Sequence, residues 1–280
     1  MTTITSTTAP AALARAGEGL SNRMGFMPQI LMMTRRSLVT ALRDPVAVIP
    51  GFIINIFFLL IFSGSLGNAS NFLPGLSGKS YLGFILPFSV ISAALGTSGI
   101  AGQAIVRDIE RGYFDKLMLT PVNRWALLLS PMIATGLLLM LQTLLVIGVA
   151  VVLGLRPETG VPGVLLLMLL SLLTGLGFAG FTVGIALRTG SAAATQGAGF
   201  MFFPLSFLTA TFVPLELLSG WIKTAATINP ITYIIDAGRM VLNTGWDADV
   251  MFKGLLACSI LGVLMFAFAL FSLRARTRRK

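Results

Sequence analysis

Long apolar stretches separated by short polar runs organise this chain. Six are long enough to cross a bilayer, which takes about 20 residues: 46–66, 82–106, 126–155, 161–187, 192–213 and 254–273. The third and fourth exceed the minimum and have room to tilt. Ahead of the first, the pattern over 27–42 is helical and two-faced. Met27, Leu31, Thr34, Leu38, Ala41 and Leu42 share one stripe, with Gln29, Arg36, Thr40 and Arg43 opposite. Pro28 suits a first turn, and Asp44-Pro45 separates this segment from the first span. The pattern predicts an amphipathic helix lying at headgroup level; the plainer alternative is a frayed extension of the first span.

The polar run between the second and third stretches, 107–124, is dense in charge. It carries Arg107, Asp108, Glu110, Arg111, Asp115, Lys116 and Arg124. Ile109, Tyr113 and Leu117 recur every four residues, as on one helical face. Pro121 biases Thr120 away from helical geometry, so the helix is expected to stop there. A short charged helix between two spans can press on a soluble partner. The segment 214–249 is long for a loop and half apolar. Leu215, Leu217, Leu218, Trp221 and Ile222 precede the turn signal Asn229-Pro230, and Ile231, Tyr233, Ile234 and Ile235 follow it. Asp236 and Arg239 stand at i,i+3. Two short re-entrant helices joined at Asn229-Pro230 are expected; the alternative is a plain surface loop.

Composition agrees with a chain built for lipid. Of 280 residues, 55% are hydrophobic and 11% charged, against about 25% charged in an ordinary soluble domain. The net charge of +10 raises nucleic-acid binding as a possibility. The cations flank apolar spans, however, and anionic headgroups are their better partners. With both termini cytosolic, only Lys79, Arg156, Lys223, Arg239 and Lys253 of the 20 Lys and Arg fall outside, an asymmetry that sets this orientation. Residues 1–26 contain no apolar run of signal-peptide length and read as a disordered cytosolic tail.

Enzyme chemistry is poorly supplied. The chain has no His and one Cys, Cys258, so the commonest general base and thiolate metal clusters are missing. None of the six stretches contains Asp, Glu, Lys, Arg or His; their polar residues include Asn55, Gln103, Gln142 and Gln196. Proton-coupled transport needs a titratable group in the membrane, so uphill movement here would draw on another polypeptide. Gly75-Leu76-Ser77-Gly78-Lys79-Ser80 ends like a phosphate loop, but Leu73 stands where the first Gly belongs. Asn68-Ala69-Ser70 fits a glycosylation acceptor, a three-residue pattern of little specificity. Gly180 and Gly184, and Gly96 and Gly99, mark helix contacts. Phe52, Phe57, Phe58 and Phe62, with Phe200, Phe202, Phe203, Phe207 and Phe212, line an aromatic substrate path or else face lipid or a partner subunit.

Two runs carry a family resemblance. Glu110-Arg111-Gly112, Leu117, Thr120-Pro121-Val122 and Arg124 resemble the cytosolic motif of type-2 permeases of ATP-binding-cassette exporters. Phe212-Val213-Pro214-Leu215, Trp221-Ile222, Asn229-Pro230-Ile231-Thr232-Tyr233, Asp236-Ala237 and Arg239 are similar to that family's outer motif, with Ser219-Gly220 where many relatives have Pro. Drug exporters of the daunorubicin-resistance kind are similar over residues 28–276. The resemblance implies an all-α membrane protein. Its parts would be an interfacial helix (27–44), a six-span permease domain (45–273), a coupling helix between spans two and three, outer re-entrant helices before span six, and a basic cytosolic tail (274–280). It implies a coupling site of Glu110, Arg111, Gly112, Leu117, Thr120 and Pro121. It implies an outer gate of Pro214, Trp221, Asn229, Pro230, Tyr233, Asp236 and Arg239.

The resemblance also implies a separate ATPase subunit that binds ATP and Mg, a second permease copy (identical or paralogous), and a bacterial plasma membrane. No cofactor, metal or nucleic acid is expected on the chain itself. The function expected is ATP-driven export of a hydrophobic or amphipathic small molecule, drug or lipid-like. Glycolipid or polysaccharide export and, further off, a membrane-embedded lipid-modifying enzyme remain the alternatives.

Overall fold

The computed structural model describes residues 25–66, 81–120, 122–209, 211 and 215–278. Most of the expected N-terminal tail, the phosphate-loop-like and glycosylation-like patterns, Pro121 and Pro214 lie outside the described residues. Every element among the described residues is helical. In order they are α1 (Phe26–Leu42), α2 (Pro45–Leu66), α3 (Tyr81–Glu110), α4 (Tyr113–Met118), α5 (Arg124–Val152), α6 (Gly160–Thr189), α7 (Ala192–Met201) and α8 (Phe203–Phe207). A 3-10 turn at Leu215–Leu217, α9 (Gly220–Ile228), α10 (Pro230–Arg239), a π-helical turn at Met240–Thr244 and α11 (Ala248–Arg278) complete the chain.

Among the described residues, four helices are long and apolar enough to cross a membrane: α3, α5, α6 and α11. The chain is thus a multi-pass helical membrane protein. α2 contributes a shorter apolar stretch, Gly51–Ser65. The stretch expected as a continuous fifth span is divided. α7 ends at Met201, and α8 starts after Phe202 with Pro204 in its first turn. The Pro204 ring takes the place of an N–H and crowds the carbonyl four residues back, so an unbroken helix is disfavoured there.

α6 is the axis of the bundle, packed against α3, α5, α7 and α11. Two apolar cores are stacked along it. One gathers Phe114, Leu127, Leu128, Met132, Val183, Leu187 and Leu273. The other gathers Phe88, Leu170, Phe178, Ile234, Val241, Leu242 and Cys258. Arginines mark the first end. Arg276 Nη1 donates to Leu187 O (3.1 Å), and Arg188 Nε donates to Ser272 Oγ (2.9 Å), tying α6 to α11. At the other, distal end, Thr159 Oγ1 donates to Val241 O (2.7 Å) and holds the start of α6 to the π turn. Arg274, Arg276 and Arg278 continue α11 as helix to the basic end.

Candidate functional site

At the basic end the charged run is not one helix. α3 continues through Glu110, and Gly112 takes φ 66°, left-handed backbone that favours glycine. α4 then runs only from Tyr113 to Met118, and Leu119 and Thr120 form the closing turn, where Thr120 Oγ1 donates to Leu117 O (2.7 Å). The four-residue repeat therefore does not mark one buried face. Phe114, 2% exposed, is the anchor. Ile109, Leu117 and Met118 pack around its core, whereas Tyr113 is exposed. Glu110, Arg111, Asp115, Lys116, Leu119 and Thr120 all face outward. A shallow cleft of about 390 Å³ opens beside them between Phe114, Met118, Leu119, Arg124 and Arg276.

Much of this run is tied to the N-terminal helix. Arg36 Nη2 meets Asp108 Oδ1 at 2.7 Å, and the Arg36 guanidinium lies 4.3 Å from the Tyr113 ring centroid. Arg107 Nη1 reaches Asp44 Oδ2 at 3.2 Å. The Asn123 N–H donates to Gln29 Oε1 (3.0 Å), while Asn123 Oδ1 caps α5 at the Trp125 N–H (2.9 Å). α1 packs on α5 through Thr34, Leu38 and Ala41, leaving Met27, Leu31 and Leu42 exposed. Half of the apolar stripe thus faces protein. Each exposed ion pair is worth about 0–1 kcal/mol, so the clasp acts by its number of contacts.

The distal end is a hydrogen-bonded knot around α10. Asn229 Oδ1 caps α10 at the Ile231 N–H (3.0 Å), and Pro230 fills the first position, where a missing N–H does no harm. The same Asn229 donates through Nδ2 to Leu205 O (2.8 Å) and Leu208 O (3.0 Å), satisfying the end of α8. Tyr233 OH donates to Thr227 O (2.7 Å) and Thr232 Oγ1 to Ala226 O (2.7 Å), stapling α10 to α9. At the other end of α10, Arg239 is buried. It donates through Nε to Phe84 O (3.0 Å) and through Nη2 to Thr211 O (2.6 Å), with its guanidinium 3.6 Å from the Phe84 ring centroid. Asp236 Oδ1 is its more distant partner at 3.4 Å. Trp221 is 70% exposed and stands apart from the knot.

Between the two ends, α2, α3, α7 and α8 enclose a cleft of about 450 Å³. α7 lies close to α3 at Gly199, where a Cβ would stand 3.1 Å from the Leu95 carbonyl oxygen. Gln103 Nε2 donates to Gln196 Oε1 (2.5 Å) across the cleft, and Thr97 Oγ1 donates to Gln142 Oε1 (2.8 Å) behind it.

A family model described as ABC-2 type transporter matches residues 28–243. The chain belongs to that family. The relatives of this ABC-2 chain include the "Probable doxorubicin resistance ABC transporter permease protein" of Mycobacterium tuberculosis, 28% identical over 76% of this chain and 76% of the relative. The daunorubicin resistance ABC transporter permease protein of Streptomyces coeruleorubidus is 24% identical over 85% and 82%. An inner membrane transport permease of Escherichia coli K12 is 24% identical over 62% of this chain and 47% of its own.

The two residue sets expected from the sequence fall at opposite ends of this ABC-2 bundle. Asn229, Pro230, Tyr233, Asp236 and Arg239 come together at the distal end, with Phe84 and Thr211 as unforeseen partners. Arg36, Asp44 and Gln29 are the unforeseen partners at the basic end. The Gln103–Gln196 pair joins residues 93 positions apart. Their rarity as polar residues in apolar stretches was its signal in the sequence.

Proposed function

We propose that this ABC-2 chain is the membrane permease subunit of an ATP-driven exporter of a hydrophobic or amphipathic small molecule, drug or lipid-like. Its ATP and Mg are bound by a separate ATPase subunit. On this reading α2 and the α7–α8 pair complete six spans, both termini are cytosolic in a bacterial plasma membrane, and a second permease copy completes the transporter. α1 then lies at the cytosolic headgroup level, and α9 and α10 form the re-entrant outer gate.

The observation that carries the reading is the charged turn from Glu110 to Thr120. Phe114 roots it in the bundle, while Asp115, Lys116 and Leu119 are turned outward in a chain of the ABC-2 family. Such a turn can receive an ATPase and pass its movement to α3 and, through Arg36 and Asp108, to α1. The relatives named for doxorubicin and daunorubicin resistance support a drug-like cargo. Co-purification with the cognate ATPase tests it. Glu110→Ala and Arg111→Ala should insert normally but recover several-fold less ATPase, because an effect beyond that of a surface pair requires a buried interface. Wild-type recovery by both variants would refute the docking role.

A further inference from the structure

The shallow cleft at the basic end, about 390 Å³, joins two guanidinium groups that are far apart in the chain. Arg124 opens α5, and Arg276 stands near the close of α11. Neither forms a salt bridge among the described residues. Arg276 gives Nη1 to Leu187 O (3.1 Å), and its Nε is buried without a partner. Buried N–H groups are nearly always paired, so this one stands out. A guanidinium presents its donors in a fixed fork that matches a phosphate. Asp115 is the one carboxylate in the lining, and two guanidiniums against it leave a net positive charge. Phe114, Met118 and Leu119 make the rest of the wall largely apolar.

The neighbours of the cleft set its depth. Trp125 follows Arg124, is exposed, and places its ring 5.4 Å from that of Phe266 on α11. Exposed Trp is enriched where headgroups meet acyl chains. Phe266 lies ten positions before Arg276, about 15 Å deeper along α11. The two arginines therefore stand where α5 and α11 leave the apolar region, with an aromatic wall beneath them.

We propose that this cleft binds an anionic phospholipid, with its phosphate between Arg124 and Arg276 and an acyl chain along Trp125 and Phe266. Lipid phosphates lie at this depth whichever end faces the cytosol, so the inference is independent of the export reading. Charge selects the occupant. A net positive lining favours phosphatidylglycerol over phosphatidylcholine, whose own ammonium group would be brought to two guanidiniums. Free phosphate offers the same oxygens but no chain to cover the aromatic wall. A lipid held here would also brace the charged turn, because the Arg276 guanidinium lies 5.7 Å from the Phe114 ring centroid.

The chain carries its own reporter. With Trp221→Phe and Trp246→Phe, Trp125 is the one tryptophan left. The full chain is reconstituted in vesicles of equal parts phosphatidylcholine and phosphatidylglycerol. Each lipid in turn is replaced by its dibrominated form, whose bromines quench a neighbouring indole. Brominated phosphatidylglycerol should quench Trp125 at least threefold more than brominated phosphatidylcholine. Arg124→Gln should bring the two to parity. It is the safer variant, because Arg276 also holds the end of α6 at Leu187. Arg274→Gln and Arg278→Gln, at exposed cations outside the cleft lining, should keep the preference. Equal quenching in the wild type would overturn the proposal. So would a preference lost equally in Arg274→Gln, which would mean diffuse attraction to the whole basic end. Loss of the preference on adding inorganic phosphate at constant ionic strength would assign the cleft to free phosphate instead. A preference untouched by Arg124→Gln, with ATPase recovery lowered, would assign it to the ATPase and overturn the proposal as well.

Discussion

Arg239 shows how one side chain can hold several elements together. Buried on α10, it spends two donors on the backbone carbonyls of Phe84 and Thr211 and lies against the Phe84 ring. A buried hydrogen bond that involves a charged group contributes about 1.5–3 kcal/mol. Arg239→Ala should therefore lower the stability of the solubilised chain by about 2–4 kcal/mol in total. Asp236→Ala should lower it by no more than about 1 kcal/mol, because that partner is longer and partly solvated. Thermal unfolding of both variants and of the double variant checks this. A double variant much more stable than Arg239→Ala would mean that the Asp236 pair, not the carbonyls, dominates. The i,i+3 spacing of Asp236 and Arg239 was legible in the sequence. The carbonyl partners were not, because backbone atoms 28 and 155 positions away leave no mark in the residue pattern.

Among elements, those decided by composition alone were the easiest to read. α3, α5, α6 and α11 are long, apolar and nearly uncharged in their centres, and lipid leaves such segments little choice but helix. The two short distal helices and their joint at Asn229-Pro230 were legible too, since that dipeptide acts by local chemistry: an amide cap followed by a ring that needs no N–H. The basic-end turn was harder. The repeat of Ile109, Tyr113 and Leu117 continues across Gly112, but the left-handed backbone there ends α3 and rotates α4 so that Phe114 enters the core. Phe114→Ala should consequently destabilise the chain by about 3–5 kcal/mol, whereas Leu119→Ala, at 89% exposed, should leave stability unchanged and weaken ATPase recovery. Denaturation midpoints set beside co-purification yields separate the two. Loss of stability in Leu119→Ala would show that the turn is packed differently.

In the whole molecule, a charged turn and a clasp of α1 stand at one end, a hydrogen-bonded knot at the other, and a neutral cleft between them. The proposed orientation, with both termini cytosolic, rests on the Lys and Arg asymmetry. With Cys258→Ser as background, single cysteines at Asp115 and at Trp221 should be labelled from opposite faces of intact cells, Trp221→Cys by a membrane-impermeant maleimide and Asp115→Cys only after permeabilisation. Labelling of Asp115→Cys in intact cells would invert the topology. The clasp joins residues 63 to 94 positions apart, and the cleft needs the broken fifth segment beside α2 and α3. Neither could be read from periodicity, which reports the faces of single helices and not which faces meet.

The most direct test of ATP-driven export is cargo movement in proteoliposomes that contain the chain and its cognate ATPase, loaded with a fluorescent amphipathic probe. Probe should move away from the ATPase side in a manner that requires ATP hydrolysis, stop when the ATPase is omitted, and slow at least tenfold in the combined Glu110→Ala and Arg111→Ala variant. Movement of the same rate without ATPase, or undiminished in that variant, would contradict ATP-driven export.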